Sequence, residues 1–436
     1  MKHYFLLIGL LCGTISSGMA QFTLSGEFRP RTEYTHGFKQ LASNEMDYGL
    51  FTSQRTRLNF QFQNESLLTK VALQDIRVFG ATPQLNESDA FSSLHEAWAE
   101  LKLYEAFSLR IGRQELDYDD ARILGNVAWA QQARSHDLFL LKYEGSFNIH
   151  AGWALNNHTQ NLTSGLYDIG KNYKAMQFLW FHKRSEAFQL SLLALNNGMQ
   201  YYDYDENGAI SDYHTAYSQT LGGRFVYQKN SFRFNTNAYA QLGKDPSNQE
   251  LAAYNLLLEG FYRVSKPWNV GLGYELLSGG SEIQSDGTVR NLAFNPLYGT
   301  NHKFNGLMDY FYVGNHLNSV GLSDIYLMTQ YKASPKLIFN AHLHHFSAAT
   351  DIVAVNPAMN PTETYERPLG IELDVFVNYF FHSPEGNKVA SFTLGYSQIQ
   401  GTSSLQLLKG GSTEAISNWA WLMITYTPQF FKTPKV

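Results

Sequence analysis

The sequence predicts an all-β fold: a single transmembrane antiparallel β-barrel of about 18 strands, with short periplasmic turns and long extracellular loops. Three observations carry that prediction. Only 16% of the 436 residues are charged while 15% are aromatic, against about 25% charged in ordinary soluble proteins. Period-two alternation of apolar and polar residues recurs from Phe22 nearly to the C-terminus. The connectors between the alternating segments are long and short in turn.

The first twenty residues read as an address. Lys2 gives a basic start, Tyr4 to Leu11 is apolar, and small residues precede a cut after Ala20, the layout of a secretory signal peptide. Residues 1–20 are thus a leader and 21–436 a single barrel domain. Cys12, the only cysteine, falls in the leader, and Leu11 stands where a lipidation motif wants a small residue. The mature chain therefore folds without disulfides or thiolate-bound metal.

Each strand rests on its own alternation. In segment 22–34, Phe22, Leu24 and Phe28 alternate with Thr23, Ser25, Glu27, Arg29 and Arg31; in 50–63, Arg55, Arg57, Asn59 and Gln61 alternate with Thr56, Leu58, Phe60 and Phe62. Segments 68–79, 95–104, 106–116 and 136–144 follow. In 146–155, Phe147, Ile149, Ala151, Trp153 and Leu155 take alternate places. Then come 173–183, 186–195, 218–229, 231–242, 252–264, 268–278, 321–332 and 335–346. Segment 369–382 carries Leu369, Ile371, Leu373, Val375 and Val377 on one face, and 388–398 and 417–428 complete the set. Alternation over about 10 residues fits strands crossing a bilayer at a tilt. Segments 68–79 and 252–264 alternate poorly, which leaves sixteen strands as the rival count.

The connectors 35–49, 80–94, 117–135, 156–172, 196–217, 243–251, 279–320, 347–368 and 399–416 are the longer set, and those between them are short, such as 64–67 and 184–185. Long and short sets would lie at opposite ends, as in outer-membrane barrels; an even count puts both termini in the periplasm. A soluble β-sandwich has no reason to keep that asymmetry and uses shorter strands. No helix-length apolar run is present, the aromatic content argues against disorder, and a barrel-like strand begins just after the cut, leaving no plug domain. The mean hydropathy is −0.29. A net charge of −5 without a basic run gives no support to nucleic-acid binding.

Polar strand residues should face the lumen, because a charge on the lipid face costs roughly 2–4 kcal/mol at the midplane. Nine of the fifteen arginines, Arg29, Arg31, Arg55, Arg57, Arg77, Arg110, Arg113, Arg122 and Arg134, lie between residues 29 and 134. Interleaved acids include Glu27, Glu33, Asp75, Glu100, Asp119 and Asp120. Two readings stand: an anion-selective constriction, or a salt-bridge network that stiffens the wall. The segment Asp203 to His214 resembles a calcium loop, with Asp203, Asp205 and Asn207 at the first three ligand positions and Asp212 near, but His214 stands where a bidentate Glu belongs. An acidic, hydrated outer loop is the alternative, so the only cofactor candidate is a loop calcium. His342 and His344 share one strand face, although inward polar residues of a barrel need no ligand. No G-x-S-x-G elbow, P-loop or H-E-x-x-H is present, and no enzyme is expected.

Arg110 to Glu144, RIGRQELDYDDARILGNVAWAQQARSHDLFLLKYE, resembles the G-R-Q…D-x-R-x-x-G…W…R-x-x-D segment of the alginate export family. Leu73 to Gly80, LQDIRVFG, and Phe294 to Gly314, FNPLYGTNHKFNGLMDYFYVG, are similar to two further stretches of that family. The resemblance implies an eighteen-stranded outer-membrane barrel whose arginine-lined lumen passes an anionic polysaccharide. By position it implies roles for Arg77, Arg113, Arg122 and Arg134, with Asp75, Asp120 and Asp137 as acidic partners. Asn301, His302, Lys303, Gly306 and Asp309 match its third motif, on a loop that folds over or into the pore in one reading. The expected function is an anion-preferring passive channel for an acidic saccharide. A general small-solute porin and a plugged, surface-binding barrel are the alternatives. The expected partners are anionic polysaccharide or small anionic solutes, outer-membrane lipids and lipopolysaccharide, and periplasmic export proteins.

Overall fold

The computed structural model describes residues 20–434 except 90, 161, 163–168, 170–171, 317–318, 356–361 and 383–387. The strands are β1 Gln21–His36, β2 Gly49–Gln63, β3 Leu67–Val78, β4 Ser92–Tyr104, β5 Phe107–Gln114, β6 His136–Glu144, β7 Asn148–Leu155 and β8 Ala175–Arg184. They continue with β9 Phe188–Tyr204, β10 Ile210–Lys229, β11 Phe232–Lys244, β12 Glu250–Arg263, β13 Trp268–Leu277, β14 Ser281–Ile283, β15 Val289–Asn291 and β16 Leu322–Lys332. The last are β17 Leu337–Ser347, β18 Ile352–Val355, β19 Thr362–Tyr365, β20 Pro368–His382, β21 Lys388–Gly401, β22 Ser417–Tyr426 and β23 Gln429–Lys432; among the described residues one α-helix, α1, spans Ser403–Lys409.

Eighteen of these close a barrel: β1 to β13, then β16, β17, β20, β21 and β22, each antiparallel to its neighbours. Closure is the pairing of β22 with β1, from Phe28↔Tyr426 to His36↔Asn418. Pro428 lacks an N–H and interrupts the last strand. Its carbonyl accepts from Gly26 N–H at 2.8 Å, and β23 resumes the ladder on β1 with Leu24↔Phe431. A closed ladder leaves no backbone group unpaired in lipid, the condition for β-structure to span a bilayer. The small strands lie in outer loops, β14 and β15 between β13 and β16, and β18 with β19 between β17 and β20.

Burial is the reverse of that in a soluble sheet. Along β20, Ile371 and Leu373 are 49% and 44% exposed, whereas Glu372 and Asp374 between them are 0% exposed. Apolar side chains face outward to lipid and polar ones inward, as the alternation requires. Eighteen strands, not sixteen, are present. Segment 68–79 alternates poorly because the register of β3 against β4 shifts between Ala72 and Leu73. Segment 252–264 does so because Ala253 and Leu257, on the inner face of β12, are apolar and buried, Ala253 in the same core as the loop residues.

Two expected long loops are not loops. β9 runs on to Tyr204 and β10 begins at Ile210, so most of 196–217 is a ladder, with Ser218↔Asn197 through Asp212↔Asp203 in register. Above the bilayer the outer face need not be apolar, so the strands continue on hydrogen bonds while the alternation fades. The turn 205–209 and the turn 245–249 share one design. Asp205 Oδ1 accepts from Asn207 and Ala209 N–H, and Asp245 Oδ1 from Ser247 and Gln249 N–H, each at 2.9 Å. Gly208 and Asn248 supply the left-handed residue, at φ +78° and +61°.

The inside-out arrangement predicts that Val375→Arg, on the lipid face of β20, destabilises the folded barrel by about 2–4 kcal/mol. Denaturant titration of the protein folded into phospholipid vesicles measures it; an unchanged midpoint would mean that Val375 faces the lumen.

Candidate pore constriction

On β1 and β2 the period of two sets Arg29, Arg31, Arg55 and Arg57 on the lumen face, with Glu27↔Arg57 and Arg29↔Arg55 directly opposite. Like charges so placed repel, and the available acids are few. Glu27 lies 2.6 Å from Arg55 and 3.8 Å from Arg29, Glu33 lies 2.8 Å from Arg31, and Glu115 lies 3.5 Å from Arg57. Side-chain amides take part of the remainder, Gln131 Oε1 accepting from Arg29 and Gln74 Oε1 from Arg57, both at 3.0 Å, and backbone carbonyls meet most of the other N–H groups of Arg29, Arg31 and Arg55. Segment 115–135, between β5 and β6, folds into the barrel and turns its carbonyls to these guanidiniums. Arg29 donates to Ala128 O at 2.6 Å, Trp129 O at 3.1 Å and Ala130 O at 3.2 Å. Arg31 donates to Trp129 O at 2.6 Å, and Arg55 to Ala130 O and Gln131 O at 3.3 Å. Small residues at 128 and 130 permit that approach. The Trp129 ring lies 4.2 Å from the Arg31 guanidinium, a cation–π contact.

A second segment, 278–321, enters beside the first. Thr300 N–H donates to Ala121 O and Gly125 N–H to Tyr298 O, both at 2.8 Å. Arg134 donates to Gly299 O at 2.9 Å. His302 stacks on Trp129 at 3.9 Å and meets Trp419 edge-on at 4.8 Å. Against the wall, Asn305 donates to Glu275 at 2.9 Å and Asp324 at 3.2 Å, and Met308 N–H to Glu372 at 2.8 Å. Gly306, at φ +82°, passes so close to the Glu372 carboxylate that a Cβ would sit 2.5 Å from it. Leu116, Leu124, Phe294, Met308 and Tyr310, all from the two inward segments, are at most 2% exposed. The hydrophobic core of this protein is inside the barrel and is made by its loops.

Arg122 is the charged link between loop and wall. It pairs with Glu275, lies 3.5 Å from Asp120 and stands 3.7 Å from the Phe304 ring. Burial alone pushes the Asp120 carboxyl up, but Arg122 and Arg224 outweigh it and hold it below its ordinary value. Burial brings Arg134 down to about 10; it forms no ion pair among the described residues. Lys303 donates to Asp120 O at 2.7 Å, and burial lowers its pKa. Below this layer a cavity of about 780 Å³, reaching the β10–β11 turn at Asn230 and Ser231, is lined by Arg224, Arg233, Arg263 and Lys303 among acids Asp119, Asp120 and Glu259. It lies toward the short-turn, periplasmic end.

Arg55, Arg57 and Arg110 lie on the lumen wall, Arg110 paired with Glu100 at 2.6 Å over the Trp98 ring at 3.9 Å. Arg122, Asp120 and Arg134 are on the inward loop rather than the wall. Four residues expected in the pore are outside it. Asp75 and Arg77 pair in register with Thr56 and Gln54, opposite in parity to Arg55 and Arg57. Arg113 and Asp137 face each other on the outer side, 3.0 Å apart and 44% and 59% exposed. All four sit at the extracellular ends of their strands, above the depth at which a charge is excluded from the outer face. Asp203, Asp205, Asn207 and Asp212 form no calcium loop: Asp205 is used by its own turn, while Asp203 and Asp212 flank His214 at 2.8 and 3.6 Å on a two-stranded ribbon. Of the third motif, Asn301, His302, Lys303, Gly306 and Asp309 are all in the inward loop, His302 being 3.6 Å from Asp309. Sequence reasoning missed Glu275, Asp324, Glu372 and Asp374; their signal was a polar residue at every second position of an apolar strand.

An eighteen-strand barrel, apolar outside, with a charged lumen narrowed by its own loops, is an outer-membrane channel. The alginate export model matches residues 20–400, and the chain belongs to that family. No curated protein matches it. Among solved structures, Pseudomonas aeruginosa OccK9 (OpdG) is similar at 14% identity and TM-score 0.59, over 94% of this chain and 98% of that one. Acinetobacter baumannii OccAB4 gives the same values, and Pseudomonas aeruginosa OpdK, solved with vanillate, is similar at 14% identity and TM-score 0.55 over 93% and 99%. These likenesses establish the barrel fold and, with the family, its place in the outer membrane.

Two predictions follow from the inward loops. Arg122→Ala strands Glu275 in a buried site, which costs about 3–5 kcal/mol; adding Glu275→Gln should recover most of it, and chemical denaturation of both variants measures the cycle. His316, on the second loop, is held neutral by burial, with its pKa down to about 4. An undocked His316 takes its proton near pH 6.5, so docking is favoured fully above that pH and weakens as pH falls toward 4. Channel gating should rise between pH 6.5 and 4.5, and His316→Gln should remove that rise.

Proposed function

We propose that the protein is a passive channel for anionic solutes, with an acidic, alginate-like polysaccharide as cargo leaving the cell. The observation that carries this reading is the bonding of Arg29, Arg31 and Arg55 to backbone carbonyls of Ala128 to Gln131. Those acceptors are neutral. A carboxylate binds a guanidinium more strongly than a carbonyl does, through charge-assisted and bidentate hydrogen bonds, so an anionic chain can exchange for the loop as it passes. Arg224, Arg233 and Lys303 at the periplasmic cavity give the same polymer a basic entry. The process is passage without turnover, and no catalytic group is required.

A second reading has support in the filled lumen: a barrel held shut by its loops that binds ligand at its surface. Planar-bilayer recording of residues 21–436, with an acidic uronic-acid oligosaccharide as blocker, separates them. Anion preference, block by the oligosaccharide, and a severalfold loss of both in Arg31→Gln/Arg55→Gln are expected. An unselective open pore would leave a general porin, and no conductance under any condition would favour the plugged binding barrel.

A further inference from the structure

One cluster in the lumen wall, His342, His344 and Asp374, makes no hydrogen bond to either inward loop among the described residues. His342 and His344 on β17 point inward two residues apart. Asp374 on β20 is directly opposite His342, and Glu372 is opposite His344. One ring nitrogen of each histidine and a carboxylate oxygen of Asp374 lie within 4.8 Å of one another. His344 Nδ1 lies 3.0 Å from both oxygens of Asp324. An Nδ1–H donated there leaves Nε2 with its lone pair, 4.0 Å from Asp374 Oδ2. That carboxylate–histidine arrangement is how proteins orient a metal-binding imidazole.

The carboxylate side leaves two oxygens open to a cation. Ser397 donates to Asp374 Oδ1, but Asp374 Oδ2 is buried and, among the described residues, meets no donor. Glu372 Oε2 is in the same condition. Both side chains are 0% exposed, so two buried carboxylates stand beside two imidazoles with one oxygen each unsatisfied, which is costly. His342 lines the periplasmic cavity, giving an ion a way in and leaving water to complete its shell.

We propose that His342, His344 and Asp374 bind a first-row divalent transition-metal ion in the lumen wall. Two imidazoles and one carboxylate suit zinc and its neighbours better than magnesium or calcium, which prefer all-oxygen shells. Ligand bonds of about 2.0–2.2 Å put two ligands of one ion up to about 4 Å apart, so the observed spacing needs only small side-chain adjustments. Bound there, the ion ties β17 to β20 at the foot of the constriction and neutralises the buried carboxylate.

The test uses the tag-free chain in detergent, titrated with zinc against a chromophoric chelator and, separately, with cobalt, whose visible bands report its ligands. One zinc per chain is expected. His344→Ala and Asp374→Asn should each weaken it by at least about 10–100-fold, the loss seen when even an outer-shell partner is removed. Both should also erase the cobalt spectrum, while His345→Ala, on the exposed face of the same strand, changes neither. If the buried variants do not fold, as judged by gel mobility before and after heating, His342→Gln at the half-buried edge provides the same comparison. A parent chain that gives up all its zinc to a weak chelator would overturn the proposal, the two carboxylates then sharing a proton. Stoichiometric binding that survives the substitutions would overturn it as well.

Discussion

Guanidinium groups brought together on neighbouring strands need acceptors, and the supply of acceptors shapes the inside of this barrel. Arg29 and Arg55 are opposite each other, in a lumen where burial reduces the screening that water would give. Glu27 and Glu33 offset part of the charge. Most of the rest falls to the carbonyls of residues 128–131 and to the Gln131 side-chain amide. Backbone carbonyls bond cations without adding charge, so the β1–β2 patch, with Arg29, Arg31, Arg55 and Arg57 against Glu27 and Glu33, stays net basic. The loop is held by bonds that a stronger acceptor can replace. A strand or helix could not serve, since its carbonyls are already used; the segment must be irregular, and it is.

Once the first loop is in place, the second follows from packing. The inner face of a barrel is polar, yet the two loops carry Leu116, Leu124, Phe294, Met308 and Tyr310, which must be removed from water. They achieve this against each other and against Leu251, Trp419 and the other apolar residues of the inner wall. Arg122 and Asn305 then pair with wall acids. The extracellular half of the lumen thus acquires the core that soluble proteins have between layers, and the periplasmic half keeps an open basic cavity.

Much of the sheet was legible in the sequence because the bilayer enforces alternation. Every barrel strand was located, with ends mostly within about two residues of those observed, and the errors fall where the enforcement stops. Above the membrane, β9 and β10 continue with polar residues on both faces, so Asn196 to Tyr204 read as loop. Asp75, Arg77, Arg113 and Asp137 were placed in the pore because polar was equated with inward, a rule that lapses at strand ends. The arginines of β1 and β2 were found, but their partners were not: a carbonyl has no signature in a sequence, and Ala128 and Ala130 look like filler. The acids Glu275, Glu372 and Asp374 were visible only as polar positions in apolar strands. Their meaning depends on registers that bring β13, β16, β17 and β20 side by side.

The central claim is that the loop held by the arginines must leave its seat for solute to pass. Gln131 Nε2 donates to Ser53 Oγ at 2.9 Å, which marks a point where loop and wall can be joined. With cysteines at 53 and 131, in residues 21–436 that contain no other cysteine, a short thiol-reactive bifunctional reagent would tether the loop reversibly. Single-channel recording before tethering, after it and after reduction is the direct measurement. The account predicts that tethering abolishes passage of an acidic oligosaccharide and sharply lowers conductance, and that reduction restores both; equal conductance in the tethered and reduced states would contradict it.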